Sequence, residues 1–211
     1  RYPAGERSSE MVTREPPQQG ERRSVRYLKG ARTPLIRVGF HGAPMGSDDF
    51  FALDALTMVL SHGRGARLPQ RIVNQGLAVE AWAYNPDNRF GGMVILGGSP
   101  AEPDAGGPSV AQNDDRRARY LKACEELEAL LLGQVEQLKS KPVSHRELER
   151  IKKINQRDFL DRMRSNEDLA GTLATLEVQT GWRYLNEYLA RIAAVSAEDI
   201  QRVAQRYLRE E

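Results

Sequence analysis

SDDFFALDALTMVLSHGRGARLPQRIVNQGLAVEAWAY, residues 47–84, holds the helix-to-strand transition that decides the fold. Ser47 is a good N-cap, and Asp48 and Asp49 place carboxylates where the positive end of a helix favours them. Phe51, Leu53, Leu56, Val59 and Leu60 then recur at helical spacing, and the helix should stop near Gly63. A shorter helix is expected over Ala66 to Asn74, ended by Gly76. From Leu77 to Tyr84 the pattern becomes that of a strand.

Working outward, Glu21 to Lys29 and Pro34 to His41 read as strands, the second alternating Ile36, Val38 and Phe40 with Leu35, Arg37 and Gly39. Gly30-Ala31-Arg32 is short enough to make them a hairpin. On the other side, Asn85-Pro86-Asp87-Asn88 is a turn signal leading to a strand over Phe90 to Leu96. The Gly-, Pro-, Ala- and Ser-rich stretch Gly97 to Gln112 reads as a loop. Strand–strand–helix–helix–strand–strand predicts an α+β fold, a mostly antiparallel sheet with helices packed on one face.

The remainder is helical. Asp114 to Ser140 carries Tyr120, Leu121, Cys124, Leu127, Leu131, Val135 and Leu138 at three- and four-residue spacings, closed by Pro142. Ser144-His145-Arg146-Glu147 is a capping box opening a helix to about Arg164. Ser165 to Ile192 reads as one further helix, and Ser196 to Asp199 caps a last one over Ile200 to Leu208. Residues Arg1 to Gly20, rich in Pro, Glu, Arg, Ser and Gln, read as a linker from a preceding domain, which leaves 21–211 as a single domain.

Bulk properties exclude several functions. Of the 211 residues 40% are hydrophobic and the formal net charge is +2, so nothing global draws the chain to nucleic acid. Cys124 is the only cysteine, which excludes an intrachain disulfide and any multi-cysteine metal site. No apolar run reaches the roughly 18 residues of a membrane span. The opening Arg1-Tyr2-Pro3 suggests a piece of a longer protein, with any targeting segment upstream and the compartment, cytoplasm or periplasm and beyond, unread.

The search for chemistry is mostly negative. His41, His62 and His145 have no second His at the i+4 spacing that puts two imidazoles on one helix face, so no zinc helix is present. Cys124 sits on a helix's apolar stripe, as an inert thiol does. His62-Gly63-Arg64-Gly65-Ala66-Arg67 invites a phosphate-loop reading but lacks Walker spacing and follows a helix; a helix–helix turn with arginines on carbonyls or carboxylates fits better. Trp82 and Tyr84 share a strand face with Glu80, which suits packing better than a nucleic-acid platform.

The order of these features resembles the C-terminal, zinc-free domain of insulinase/pitrilysin-family metallopeptidases, bacterial-type relatives of mitochondrial processing peptidase subunits. Gly20-Glu21-Arg22-Arg23, Gly39-Phe40-His41, Phe51-Ala52-Leu53 to Leu60, Gly63 to Leu68 and Leu77-Ala78 carry it. So do Pro142-Val143-Ser144 to Lys152, and Val195 to Leu208. The resemblance covers about nine-tenths of the chain.

The resemblance implies a domain without catalytic residues or metal. Zinc would belong to an HxxEH motif in a preceding N-terminal domain, the partners being that domain, a second half-molecule of the family, and unfolded peptide enclosed between the halves. Gly63, Arg64, Arg67, Arg71, Leu77 and Ala78 are the motif or substrate-facing positions. Some family members add an Arg and a Tyr seven residues apart around Leu-Ala; those positions here are Ile72 and Val79, and Arg71 lies one residue, about 100° of helix, out of register. Ala66 stands where a serine is usual, and Pro69 where an aromatic is common. The alternative is an inactive homologue acting as a structural or interaction subunit, as in respiratory-complex core proteins.

Overall fold

A computed structural model describes residues 18–28, 33–101 and 113–209, with side chains omitted for 113–116. The linker expected over residues 1–20 lies outside these except for its last three residues, as do the 30–32 hairpin turn and most of the 97–112 loop.

Three strands form one antiparallel sheet in the order β1 (Ile36–His41), β3 (Met93–Pro100), β2 (Ala78–Tyr84). Among the described residues six α-helices accompany it: α1 (Asp48–Ser61), α2 (Asn113–Ser140), α3 (His145–Asp161), α4 (Asn166–Gln179), α5 (Tyr184–Ala194) and α6 (Ala197–Tyr207). Register explains which face is covered. Phe40 opposes Val94, and Leu96 lies between Val38 and Ala83. This face joins the apolar core, while Met93 and Tyr84 on the other stay exposed.

Helix α1 is the centre of that core. Phe50, Phe51, Leu53, Leu56 and Leu60 are all fully buried, because the helix is packed by β2, α3, α5 and α6 together. Its start is fixed as the sequence predicts, the Phe50 amide donating to Ser47 Oγ. Helix α2 packs on β3 and α6, burying Leu127, Leu131, Val135 and Leu138, while Leu121 nearer its start is exposed. Ser144 and Ser196 both close full capping boxes, with Glu147 and Asp199.

Four expectations need correction or refinement. Residues 21–28 form no strand: they are exposed outside the ladder, and Arg23 pairs with Glu128 of α2. The second helix is present over 67–73, near its expected bounds, but from Pro69 to Val73 it is wound as a π turn, where the Asn74 amide reaches back five residues to the Pro69 carbonyl at 2.8 Å. Strand β3 starts at Met93, not Phe90, and runs through Gly97–Pro100, which had read as loop. Those glycines belong in the sheet because a Cβ at Gly97 would stand 2.6 Å from the Trp82 ring, and one at Gly98 2.4 Å from the Glu80 carbonyl at a β-bulge. Finally, 165–192 is two helices. Gly181 at φ +97° lets the amides of Thr180 and Gly181 both bond the Leu176 carbonyl, ending α4 in a left-handed cap.

Candidate functional site

The motif positions lie along the connection from α1 to β2, and α3 and α2 hold that connection in place. Gly63 takes φ +79°, a conformation that only glycine adopts freely, and so turns the chain out of α1. Arg150 of α3 donates to the His62 carbonyl at 2.6 Å, and Gln70 donates to the Arg64 carbonyl at 2.6 Å. Ala66 is fully buried, and Pro69 opens the π turn, where its missing N–H is no loss.

Arg67 points inward. Its guanidinium makes a two-point bond to Glu147 (2.7 and 3.1 Å), the carboxylate that also accepts the Ser144 amide in the α3 capping box. The Arg67 bond chiefly, opposed by burial and helped by Ser144, holds the Glu147 carboxyl down at about 2. One carboxylate thus locks the α1–β2 connection to the start of α3. Arg71 is exposed and reaches across to α2, donating to Gln134 at 3.0 Å and to Gln137.

Leu77 is partly exposed and its carbonyl accepts the Ala101 amide at 3.3 Å, while Ala78 is buried under the sheet. The two positions flanking this pair have opposite settings. Ile72 is 1% exposed in the core and Val79 is 64% exposed on the bulge. Neither offers a polar atom, and the Arg71 guanidinium is turned toward α2.

Metal chemistry finds no support among the described residues, where no three His, Cys, Asp or Glu side chains gather as ligands. His41 is exposed at the end of β1, His145 is exposed at the start of α3, and His62 shares a 2.9 Å contact with Asp158. Cys124 is half-buried. Burial first, then the charges of Glu125 and Glu128, push its thiol up and away from reactivity. Among the described residues no helix is long and apolar enough to cross a membrane.

A second concave region escaped the sequence reading. It gathers Asp54, Asp87, Asn155 and Tyr188 from three helices and a loop. The available signal was Asp54, the one charged residue in the run Phe50 to Leu60, which is otherwise apolar except for Thr57.

Comparison with known proteins agrees with this geometry. The chain is 28% identical over 203 residues to the zinc protease PqqE of Helicobacter pylori, a match covering 93% of this chain and 40% of that protein. The chain thus spans about two-fifths of the length of this curated relative. A protease structure from Helicobacter pylori superposes with a TM-score of 0.71 at 23% identity, covering 87% of this chain and 40% of that one. The crystallised inactive peptidase domain of a candidate zinc protease from Bordetella parapertussis gives 0.65 at 25% identity, covering 88% of this chain and 91% of its own. Residues 3–155 match the family described as the peptidase M16 inactive domain. With that match over most of its length, its antiparallel sheet and its covering helices, the chain belongs to that family.

Proposed function

We propose that this chain is the non-catalytic C-terminal domain of a zinc metallopeptidase, walling part of the chamber that encloses unfolded peptide and supporting a separate HxxEH domain. The observation that carries this reading is the match to an inactive-domain family together with alignment to only 40% of a zinc protease. Zinc held by the other domain would supply the activated water that attacks the peptide carbonyl. The residues described here fit no zinc and are assigned no step of hydrolysis. Their work is structural: the Arg67–Glu147 lock and the Arg71 bonds to α2 fix the connection leading into β2, whose outer edge pairs with no strand among the described residues and, with its exposed face, would meet a neighbouring domain or an extended peptide.

The test is an assay of the full-length protein on unfolded peptides with and without chelator, beside the isolated chain. Activity lost on chelation and restored by zinc, with an inert chain, is the expected result. Activity that survives chelation removes the zinc mechanism, and a full-length protein inert on every peptide leaves the structural-subunit alternative.

A further inference from the structure

Where α1, α3, α4, α5 and the β2–β3 connection converge, the core opens into a half-open cavity of about 250 Å3. Asp54 of α1 projects into it, Asn155 and Phe159 come from α3, and Tyr184 and Tyr188 come from α5. Asn85 and Asp87 follow β2, with Asp87 exposed at the mouth and its carbonyl held by Gln179 of α4 at 2.7 Å. Phe159 and Tyr188 stack at 5.5 Å between ring centres and form an aromatic wall.

The polar atoms of this cavity are only half satisfied. Asn155 donates to the Tyr188 hydroxyl at 2.7 Å, and that hydroxyl donates to Asp54 Oδ2 at 3.3 Å. Three buried atoms have no hydrogen-bond partner: Asn85 Nδ2, Asn155 Oδ1 and the Tyr184 hydroxyl. Their residues are 6%, 6% and 8% exposed. Buried polar groups in folded proteins are nearly always bonded, so the two orphan acceptors, Asn155 Oδ1 and the Tyr184 hydroxyl oxygen, mark a place built to meet a hydrogen-bond donor, while Asn85 Nδ2 is a donor that needs an acceptor of its own.

Charge says what that donor is. Asp54 and Asp87 face the same space, and burial first and then the Asp87 charge lift the Asp54 carboxyl to about 7. Asp87 is exposed as a residue but its carboxyl is desolvated enough to be raised too, and the Arg162 charge opposes the shift at both carboxyls. His62 and Arg162 are the basic residues of the lining, and His62 is held by Asp158 at 2.9 Å. A cation between the two carboxylates would remove their repulsion. No third ligand completes a metal shell among the described residues, and the stacked rings suit a cation with a carbon stem.

We propose that this cavity binds a small organic cation, a primary ammonium on a short alkyl stem. Asp54 and Asp87 are its counter-ions, Asn155 Oδ1 and the Tyr184 hydroxyl accept its N–H groups, and the Phe159–Tyr188 wall lies against its stem. The site stands apart from the peptidase reading and survives that reading's failure. The same chemistry could come from a free amine or from a lysine side chain of a peptide.

The experiment is calorimetric and NMR titration of the chain with n-propylammonium, n-propanol and propionate, repeated on Asp54→Asn and on Asp87→Asn, each first checked for native folding by circular dichroism and its NMR spectrum. Propylammonium should bind, with propanol and propionate weaker by about tenfold or more, and each substitution should weaken the ammonium by a similar factor. A second arm compares an N-acetylated tetrapeptide containing one lysine with propylammonium. Tighter binding of either upholds the site and names its source. The proposal is overturned if neither propylammonium nor the lysine peptide binds, if propanol binds as well as propylammonium, or if both variants keep the wild-type affinity.

Discussion

Replacing Glu147 with Gln keeps the shape of the side chain but removes the charge on which two elements converge. The Arg67 and Glu147 side chains are 10% and 23% exposed, and the pair is bonded at two points. The carboxyl lies at about 2 in the fold against an ordinary 4.5. At about 1.4 kcal/mol per tenfold change this sets an upper bound of about 3.5 kcal/mol. Solvent screening at a partly open pair lowers the expected loss to about 1–2 kcal/mol at pH 7. Because the folded value is depressed, the stabilisation is complete above pH 4.5 and is lost as pH falls through about 2. At a pH of about 3.5, roughly two-fifths of it should already be gone. Urea denaturation of both chains at pH 7 and near pH 3.5 measures the gap directly. A gap under about 0.5 kcal/mol at neutral pH, or one that does not narrow on acidification, refutes the lock between the α1–β2 connection and α3.

The carboxylate of Asp49 clamps α1 to α6 through Arg202 at 2.6 Å, Arg206 at 2.9 Å and Tyr207 at 2.7 Å. Burial works against its charge, but the Tyr207 and Arg202 bonds outweigh that and hold its carboxyl below 3.8. Asp49→Asn should therefore lower stability by about 1–3 kcal/mol at pH 7, with the gap closing in acid below pH 3.8, read by the same denaturation series. Gly98→Ala forces a methyl against the Glu80 carbonyl and should destabilise by about 1–3 kcal/mol in thermal melts. Gly133→Ala, in α2 with nothing within 4 Å of the new methyl, should instead stabilise by about 0.5–1 kcal/mol. Leu56→Ala, at the centre of the core, should remove about 2–5 kcal/mol.

What could be read from the sequence was what depends on near neighbours. The Ser47 cap, the two capping boxes and the apolar density of α1 act within four residues and appear as expected. Strand pairing is not local. Glu21 to Leu28 has a plausible strand pattern, yet Arg23 finds Glu128, 105 residues away, and the segment joins no ladder. Gly97 and Gly98 read as loop because glycine is rare in strands; only the Trp82 ring and the bulge opposite them show why glycine is required. At Gly181 the stop signal was present, but a single glycine inside a helical pattern becomes a cap only when its φ turns positive. The cavity was the least visible feature, since Asp54 is met by Tyr188 and Asp87 from distant parts of the chain.

Position 72 shows how far the fold constrains what this connection can do. An arginine there would replace a side chain that is 1% exposed inside the core, leaving a guanidinium buried without a carboxylate partner. Breaking the packing and burying that charge would together exceed the few kcal/mol by which a domain of this size is stable. Arg71 is already engaged elsewhere, because it donates to Gln134 and Gln137 on α2. Arg67 is committed to Glu147, and withdrawing it would loosen the start of α3. The guanidiniums of Arg67 and Arg71 are thus held by the domain's own helices, and the π turn that ends at Val73 fixes the arrangement by placing Ile72 inward. A change that gave this connection a new polar role would therefore have to rebuild the α1–β2 path itself; a substitution at one position would not be enough.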